Sequence, residues 1–113
     1  MNDSKIADEL VLMAVNFMPR IRGVFERKEN SNERDFNSIN FEMQKFISTL
    51  RKNEDLDCYI FRCDSRKCME ILIGIEDHEA MKGILKKIEK MFQKMGKKYD
   101  IKVGLETFGK GDK

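Results

Sequence analysis

The most constraining feature of this sequence is a change in the spacing of its apolar residues near Leu56. Before that point apolar residues recur every three or four positions, which is the spacing of an amphipathic helix. Over residues 58–75 they alternate with polar residues instead, as in a strand that is buried on one face. The helical spacing returns over 77–95 and the alternation over 99–108. These periods predict an α+β fold with the element order α-α-β-β-α-β.

Two helices are predicted in the N-terminal part of the chain, residues 3–52. The first covers residues 3–27 and contains Pro19, which lacks an amide hydrogen and is expected to kink or break the helix. The second covers residues 36–52. Between them, residues 26–35 include no apolar side chain, so we expect a solvated connection there.

The second part of the chain, residues 56–108, is predicted to form a β-hairpin, a long helix and a last strand. Strands are expected at 58–63 and 68–75, joined by the polar turn 64–67. A right-handed crossover through the helix 77–95 would return the last strand beside the first strand of the hairpin. The result is a small three-stranded sheet with the long helix on one face. The N-terminal helices would pack on the sheet or across a dimer. The apolar residues expected to face the long helix are Tyr59, Phe61, Ile71, Ile73, Ile101 and Val103.

Length and composition limit the class of protein. A chain of 113 residues suits one domain, which we place at 1–113. Charged residues make up 37% of the chain but nearly cancel to a net charge of +2, which argues against a strongly basic polyanion binder. No apolar stretch approaches the roughly 20 residues that a membrane helix requires, and no signal sequence precedes the first helix. We therefore expect a cytoplasmic protein that does not bind membranes and whose cysteines are free thiols.

Few residues in the sequence suggest catalysis or metal binding. His78 is expected in the first turn of the long helix, where an exposed position is the simplest interpretation. Four residues separate Cys58 from Cys63, and Cys63 from Cys68, unlike the closer pairs of most zinc sites. Cys63 and Cys68 flank the hairpin turn and form a candidate redox pair, with structural thiols as the alternative. We predict no catalytic residue, cofactor or metal, and we do not expect an enzyme.

A row of lysines follows the predicted outer face of helix 77–95. Lysine neutralises phosphate groups, so this row gives an alternative function, that of a nucleic-acid-associated regulator. The competing interpretation is the solvated face that any amphipathic helix needs, and no exposed aromatic run favours base stacking. The candidate basic surface consists of Lys82, Lys86, Lys90, Lys94 and Lys97.

Methionine is common, with eight residues that mostly lie on the helical apolar stripes. An ordinary core explains most of them, but a surface rich in methionine can also adapt to a partner protein or to an apolar ligand. We predict a non-catalytic regulatory or protein-interaction domain, as a homodimer or with a protein partner, and a small-ligand sensor is a further alternative. The candidate interaction surface consists of Met13, Phe17, Met18, Ile21, Met43 and Phe46.

Residues 58–106 resemble the C-terminal part of ferredoxin-like and nucleotide-cyclase-like sheet domains in their order of hairpin, helix and strand. A diguanylate cyclase would carry a glycine-rich acidic signature at the hairpin turn. Here residues 63–68 read Cys-Asp-Ser-Arg-Lys-Cys instead. The resemblance covers less than half of the chain and implies an element order alone.

Overall fold

The computed structural model describes residues 17–28 and 33–109. Four strands and two helices follow one another in this part of the chain: β1 (Arg20–Glu26), α1 (Glu33–Glu54), β2 (Cys58–Asp64), β3 (Cys68–Ile75), α2 (His78–Lys98) and β4 (Lys102–Phe108). The strands form one antiparallel sheet in the order β2-β3-β1-β4. This is the ferredoxin-like arrangement of two interleaved β-α-β units. The predicted α+β class is confirmed.

The main correction concerns residues 20–26, which form strand β1 and not the end of a helix. Ile21 and Phe25 are four positions apart, a spacing that places two side chains on one face of either a helix or a strand. Pro19 directly precedes the strand, and its carbonyl accepts a hydrogen bond from the Ile75 amide at 3.0 Å. Pro19 therefore kinks no helix among the described residues. Residues 3–16 of the predicted first helix, and residues 29–32 of the predicted connection, lie outside the described residues.

Strand β1 also explains why the predicted three-stranded sheet is wrong. β3 and β4 run in the same direction, as the predicted crossover requires, but they are not neighbours. β1 lies between them and pairs antiparallel with both. The last strand consequently pairs with β1, whereas the prediction placed it beside the first strand of the hairpin.

The register of the strands decides which side chains face the helices. Ile73 lies opposite both Ile21 and Ile60, and all three side chains point toward the helices. Tyr59 lies opposite Gly74, on the other face of the sheet. Phe61 lies opposite Leu72 and points to that same outer face. The predicted inward orientation of Tyr59 and Phe61 is therefore wrong. The physical reason is the two-residue period of a strand, in which a shift of one position exchanges the faces.

Buried residues of both helices and of one sheet face form a single apolar core. At its centre the ring of Phe92 in α2 lies 5.7 Å from the ring of Phe25 in β1, measured between centroids. The fully buried residues of this core with the largest side chains are Phe25, Phe92, Ile21, Ile39, Met43, Ile47, Met69, Ile71, Ile73, Ile75, Ile88 and Met95.

Each helix ends at a sharp change of direction. Asp55 follows α1 and Asp100 follows α2, and both have a φ of 51°, in the left-handed region that usually favours glycine or asparagine. After α2 the Ile101 amide donates to the Gly96 carbonyl at 2.9 Å. This hydrogen bond turns the chain back, so that β4 begins directly beside the last turns of α2.

Neither described helix combines the length and the apolar character that crossing a membrane requires.

The absence of a side chain at Gly23 allows α2 to pack closely on β1. A Cβ atom there would overlap the buried ring of Phe92, whereas a Cβ at Gly104 in the neighbouring strand would contact nothing within 4 Å. We expect Gly23→Ala to lower the free energy of unfolding by about 1–3 kcal/mol, the usual cost of overpacking a core. Urea denaturation measures this change. Gly104→Ala is the matched control and should be close to neutral. Equal effects of the two substitutions would contradict the packing argument.

Candidate binding surface

The two edges of the sheet differ in how their backbone groups are covered. At the β2 edge, Arg51 of α1 donates from Nε to the Cys58 carbonyl at 2.8 Å. On the same strand, the guanidinium of Arg62 bonds Asn37 of α1 at 2.8 Å. Side chains of α1 therefore cover parts of this edge. At the β4 edge no comparable contact from a helix to a strand carbonyl occurs in the described part of the chain.

The hydrogen-bond pattern identifies the outward-pointing backbone groups of β4. The Pro19 carbonyl accepts from the amide of Ile75, the last residue of β3, so odd-numbered residues of β1 bond toward β3 and even-numbered residues bond toward β4. The even-numbered residues of β1 pair with the even-numbered residues of β4. The amides and carbonyls of Val103, Leu105 and Thr107 consequently point away from the sheet. An exposed row of this kind can pair with another strand.

A groove of about 710 Å³ runs beside this edge, between α2 and the start of β4. The two elements approach closely, because a Cβ at Gly96 would lie 2.9 Å from the Ile101 carbonyl oxygen. The floor is apolar, with Ile101 buried and Val103 half-buried. Among the described residues the groove is lined by Lys90, Gln93, Lys94, Gly96, Lys97, Asp100, Ile101 and Val103.

The lysines of the predicted basic surface are all exposed on α2. Lys82 pairs with Glu79 at 3.6 Å, near the start of the helix. The other four, Lys86, Lys90, Lys94 and Lys97, take part in none of the ion pairs within 4.0 Å that the described residues form. Three of these four line the groove beside β4, which gives the groove a positive rim.

The predicted interaction surface does not form one continuous surface. Ile21 and Met43 have no exposed area and belong to the core, so no partner can contact them in the folded protein. Met18 and Phe46 are half-buried and Phe17 is exposed. Met13 lies outside the described residues.

Sequence reasoning missed one exposed aromatic residue on α1. Phe41 is 67% exposed because it lies off the apolar stripe of the helix. With Phe46 and Met91 it lines a second groove, between α1 and α2. A phenylalanine at a polar position of an otherwise regular amphipathic helix was the signal that could have identified it.

The two cysteines of the candidate redox pair are not directly opposite each other. Cys63 lies opposite Glu70, and Cys68 accepts through its carbonyl from the Ser65 amide. Burial raises the pKa of the Cys63 thiol, and the carboxylates of Glu70 and Asp64 raise it further. Less thiolate forms, so the thiol reacts more slowly. The cysteines are free, and this geometry favours the structural-thiol alternative.

His78 is exposed at the first position of α2, directly after the capping residue Asp77. The Asp77 carboxylate accepts from the amides of Glu79 and Ala80 at 2.9 and 3.2 Å, which fixes the start of the helix. Within residues 17–28 and 33–109, no cluster of three or more His, Cys, Asp or Glu side chains could hold a metal ion.

The sheet face opposite the helices carries an ion-pair network at its centre. Arg22 of β1 donates to Glu70 of β3 at 2.6 Å and to Glu106 of β4 at 2.8 Å. The hydrogen bond to Glu70 is the main cause of a raised Arg22 pKa. On this face β1 and β3 present no aromatic side chain, and the two glutamates repel phosphate. The centre of the sheet is therefore unsuited to stacking nucleic-acid bases.

A second network ties α1 to the end of α2. Glu42 accepts from the Tyr99 hydroxyl at 2.6 Å and from the Lys98 ammonium at 3.0 Å. The hydrogen bond from Tyr99, followed by that from Lys98, lowers the pKa of Glu42. The same bond to Glu42 raises the pKa of Tyr99.

These shifts predict how pH affects stability. A lowered carboxyl pKa stabilises the fold above the ordinary pKa of glutamate, and this contribution is lost as the pH falls through the lowered value. We expect Glu42→Gln to cost about 1 kcal/mol at neutral pH, since hydrogen bonds to a carboxylate are lost at a partly exposed site. The cost should shrink as the pH falls through the lowered pKa of Glu42, because the wild-type side chain then becomes protonated as well.

Urea denaturation of both proteins at a series of pH values from about 7 downward measures this difference. Lys45→Gln, on the same helix, is a control for removal of a surface charge. A cost of Glu42→Gln that stays the same at every pH at which both proteins remain folded would contradict the assignment.

Comparisons with known proteins support the fold. No family model and no curated protein matches the chain. The designed protein Ferredog-Diesel is similar in structure, with a TM-score of 0.59 and 14% identity over 79% of this chain and 83% of that one. The designed protein Foldit4 has a TM-score of 0.54 and 16% identity over 82% and 96% of the two chains. A hydantoinase/carbamoylase family amidase from Burkholderia ambifaria has a TM-score of 0.54 and 7% identity. The match covers 84% of this chain but only 28% of the amidase. At these identities the similarity shows the fold alone.

Proposed function

We propose that this chain is a non-catalytic protein-interaction domain that binds an extended segment of a partner along β4. The single observation that carries the proposal is the row of outward-pointing backbone groups at Val103, Leu105 and Thr107. Addition of a strand to such an edge is a common mode of peptide binding, in which the main chain supplies the affinity. Because β4 contains no proline, every amide in this row can donate. A domain that binds a partner segment without catalysing a reaction on it is suited to a regulatory role.

The position of the core also supports an edge-binding mode. The methionines and isoleucines of the apolar stripes pack against the sheet, which leaves few of them for a partner. Phe41 and Phe46 remain as a small apolar area on α1, in the second groove between α1 and α2. Compared with this small apolar area, the β4 edge offers a longer continuous row of backbone hydrogen-bond donors and acceptors.

A substitution with proline tests this mode. Leu105→Pro removes an outward amide while it leaves the hydrogen bonds between β4 and β1 in place. Leu105→Ala is the matched control, since it removes the same side chain but keeps the amide. The probes are decapeptides of alternating threonine with glutamate, glutamine or lysine, titrated into the ¹⁵N-labelled protein. We expect at least one peptide to shift the amide signals of Val103, Leu105 and Thr107.

We expect peptide binding to be lost in Leu105→Pro and retained in Leu105→Ala. If Leu105→Pro lowers the melting temperature more than the control does, Thr107→Pro and Thr107→Ala replace the pair, because Thr107 is exposed. If none of the three peptides shifts these amides, strand addition at β4 is wrong.

The homodimer stays a prediction, and β4 gives it a defined geometry. Antiparallel pairing of two copies centred on Gly104 would place Lys102 opposite Glu106 twice, a favourable pair of charges. A homodimer formed in this way would have twice the 13.3 kDa chain mass in sedimentation equilibrium, and it would compete with the partner segment for β4. Lys102→Glu and Glu106→Lys should each be monomeric, and an equimolar mixture of the two should recover the dimer mass. A monomer at every concentration of the wild-type chain would refute the homodimer but not a heterologous protein partner.

A second candidate function is nucleic-acid binding, and the row of α2 lysines without an ion pair within 4.0 Å among the described residues is the observation in its favour. Lys86, Lys90, Lys94 and Lys97 lie on one side of the helix at a spacing that could follow a phosphate backbone. The ion-pair network around Arg22 and the absence of aromatic residues at the centre of the sheet weigh against it. We therefore rank it below protein binding.

A further inference from the structure

We infer that the segment that binds at β4 is acidic: an extended peptide whose glutamate or aspartate side chains pair with Lys90, Lys94 and Lys97. This inference rests on the proposed function, since it identifies the chemistry of the partner of the same edge. The supporting observation is that these three lysines line one side of a groove, and the edge strand β4 lines the other side.

The charge of the groove is positive on balance. Lys90, Lys94 and Lys97 line it, and none of the three has a carboxylate within 4.0 Å among the described residues. Asp100, the acidic residue among the described lining, already forms an ion pair with Lys28 at 2.8 Å. The long lysine side chains can move toward a ligand while their methylene groups cover its backbone.

The geometry brings an added strand close to these lysines. Neighbouring strands lie about 4.8 Å apart, so a strand paired with β4 would run along the outer wall of the groove. Its side chains would alternate between the two faces of the sheet. Those on the helix side would lie beside Val103 and below the lysine rim. Acidic side chains at every second position of the peptide would thus meet the lysines. The side chains between them would point to the opposite face of the sheet, where Lys102 and Glu106 lie.

The same features disfavour the other two occupants. A second copy paired at β4 would bring its own α2 to the same face, so that two lysine rows would approach each other. A nucleic acid could accept hydrogen bonds from the outward amides but would offer little to the carbonyls of Val103, Leu105 and Thr107. An acidic peptide supplies donors and acceptors to the edge and negative charge to the rim.

The three decapeptides described above also test this inference. We expect the threonine–glutamate peptide to bind at β4, and to bind at least roughly tenfold more tightly than the glutamine peptide at low salt. The lysine peptide should not bind. Raising the salt from about 50 mM to about 500 mM should abolish most of the preference, because exposed charges are screened.

Matched variants localise the effect. Lys90→Glu/Lys94→Glu should remove the preference for the glutamate peptide. Lys82→Glu/Lys86→Glu makes the same change of charge on the same helix, outside the groove lining, and should retain most of it. Melting temperatures of both double variants establish that each is folded. Both charge reversals lie at exposed positions, so neither is expected to disturb the core.

The outcomes separate this inference from the proposed function. If the glutamate and glutamine peptides bind the β4 amides equally, strand addition holds and the acidic preference is wrong. If no peptide reaches these amides, both are wrong. A third arm uses a single-stranded oligothymidylate. Nucleic acid would replace the acidic peptide if this probe binds and the glutamate peptide does not. In that case binding of the probe should be lost in Lys90→Glu/Lys94→Glu and unaffected by Leu105→Pro.

Discussion

The structure depends on the position of β1 between β3 and β4. A crossover through α2 leaves β3 and β4 parallel, and an antiparallel strand inserted between them satisfies the backbone groups of both that face it. The close contact between α2 and β1 requires the absence of a side chain at Gly23, where the ring of Phe92 rests on the strand. Because this contact fixes α2 above β1 and β4, it also fixes the groove beside the β4 edge.

The two edges of the sheet differ in how far helices cover them. Arg51 and Arg62 connect β2 to α1 and cover part of that edge. In the described part of the chain α2 leaves the outward backbone groups of β4 uncovered, and the turn at Asp100 sends the chain back directly beside the helix. An apolar floor, an open edge and a lysine rim are thereby brought together. None of the three alone would indicate a binding site; their juxtaposition is the basis for our proposal of an acidic extended partner.

Much of the fold could be predicted because spacing alone determines it. The hairpin occurs where the change of period placed it, and the long helix and the last strand follow in the predicted order, although the helix extends to Lys98 and the strand begins only at Lys102. The error at residues 20–26 has a definite cause, since Ile21 and Phe25 satisfy the helical and the strand period equally. Two structural neighbours are designed proteins of 14% and 16% identity, which shows that dissimilar sequences reach this arrangement. The candidate basic surface was visible in the sequence, but its relation to an open edge was not.

The sequence by itself determined the α+β class, the boundaries of the hairpin and the exposure of the lysines on α2, because these follow from local period and charge. Only the tertiary structure decided the order of the strands, the burial of Ile21 and Met43, and the register that separates Cys63 from Cys68. The physical reason is that these properties depend on pairing between segments distant in sequence. Residues 20–26 become a strand because β3 and β4 leave a gap that only a strand can fill.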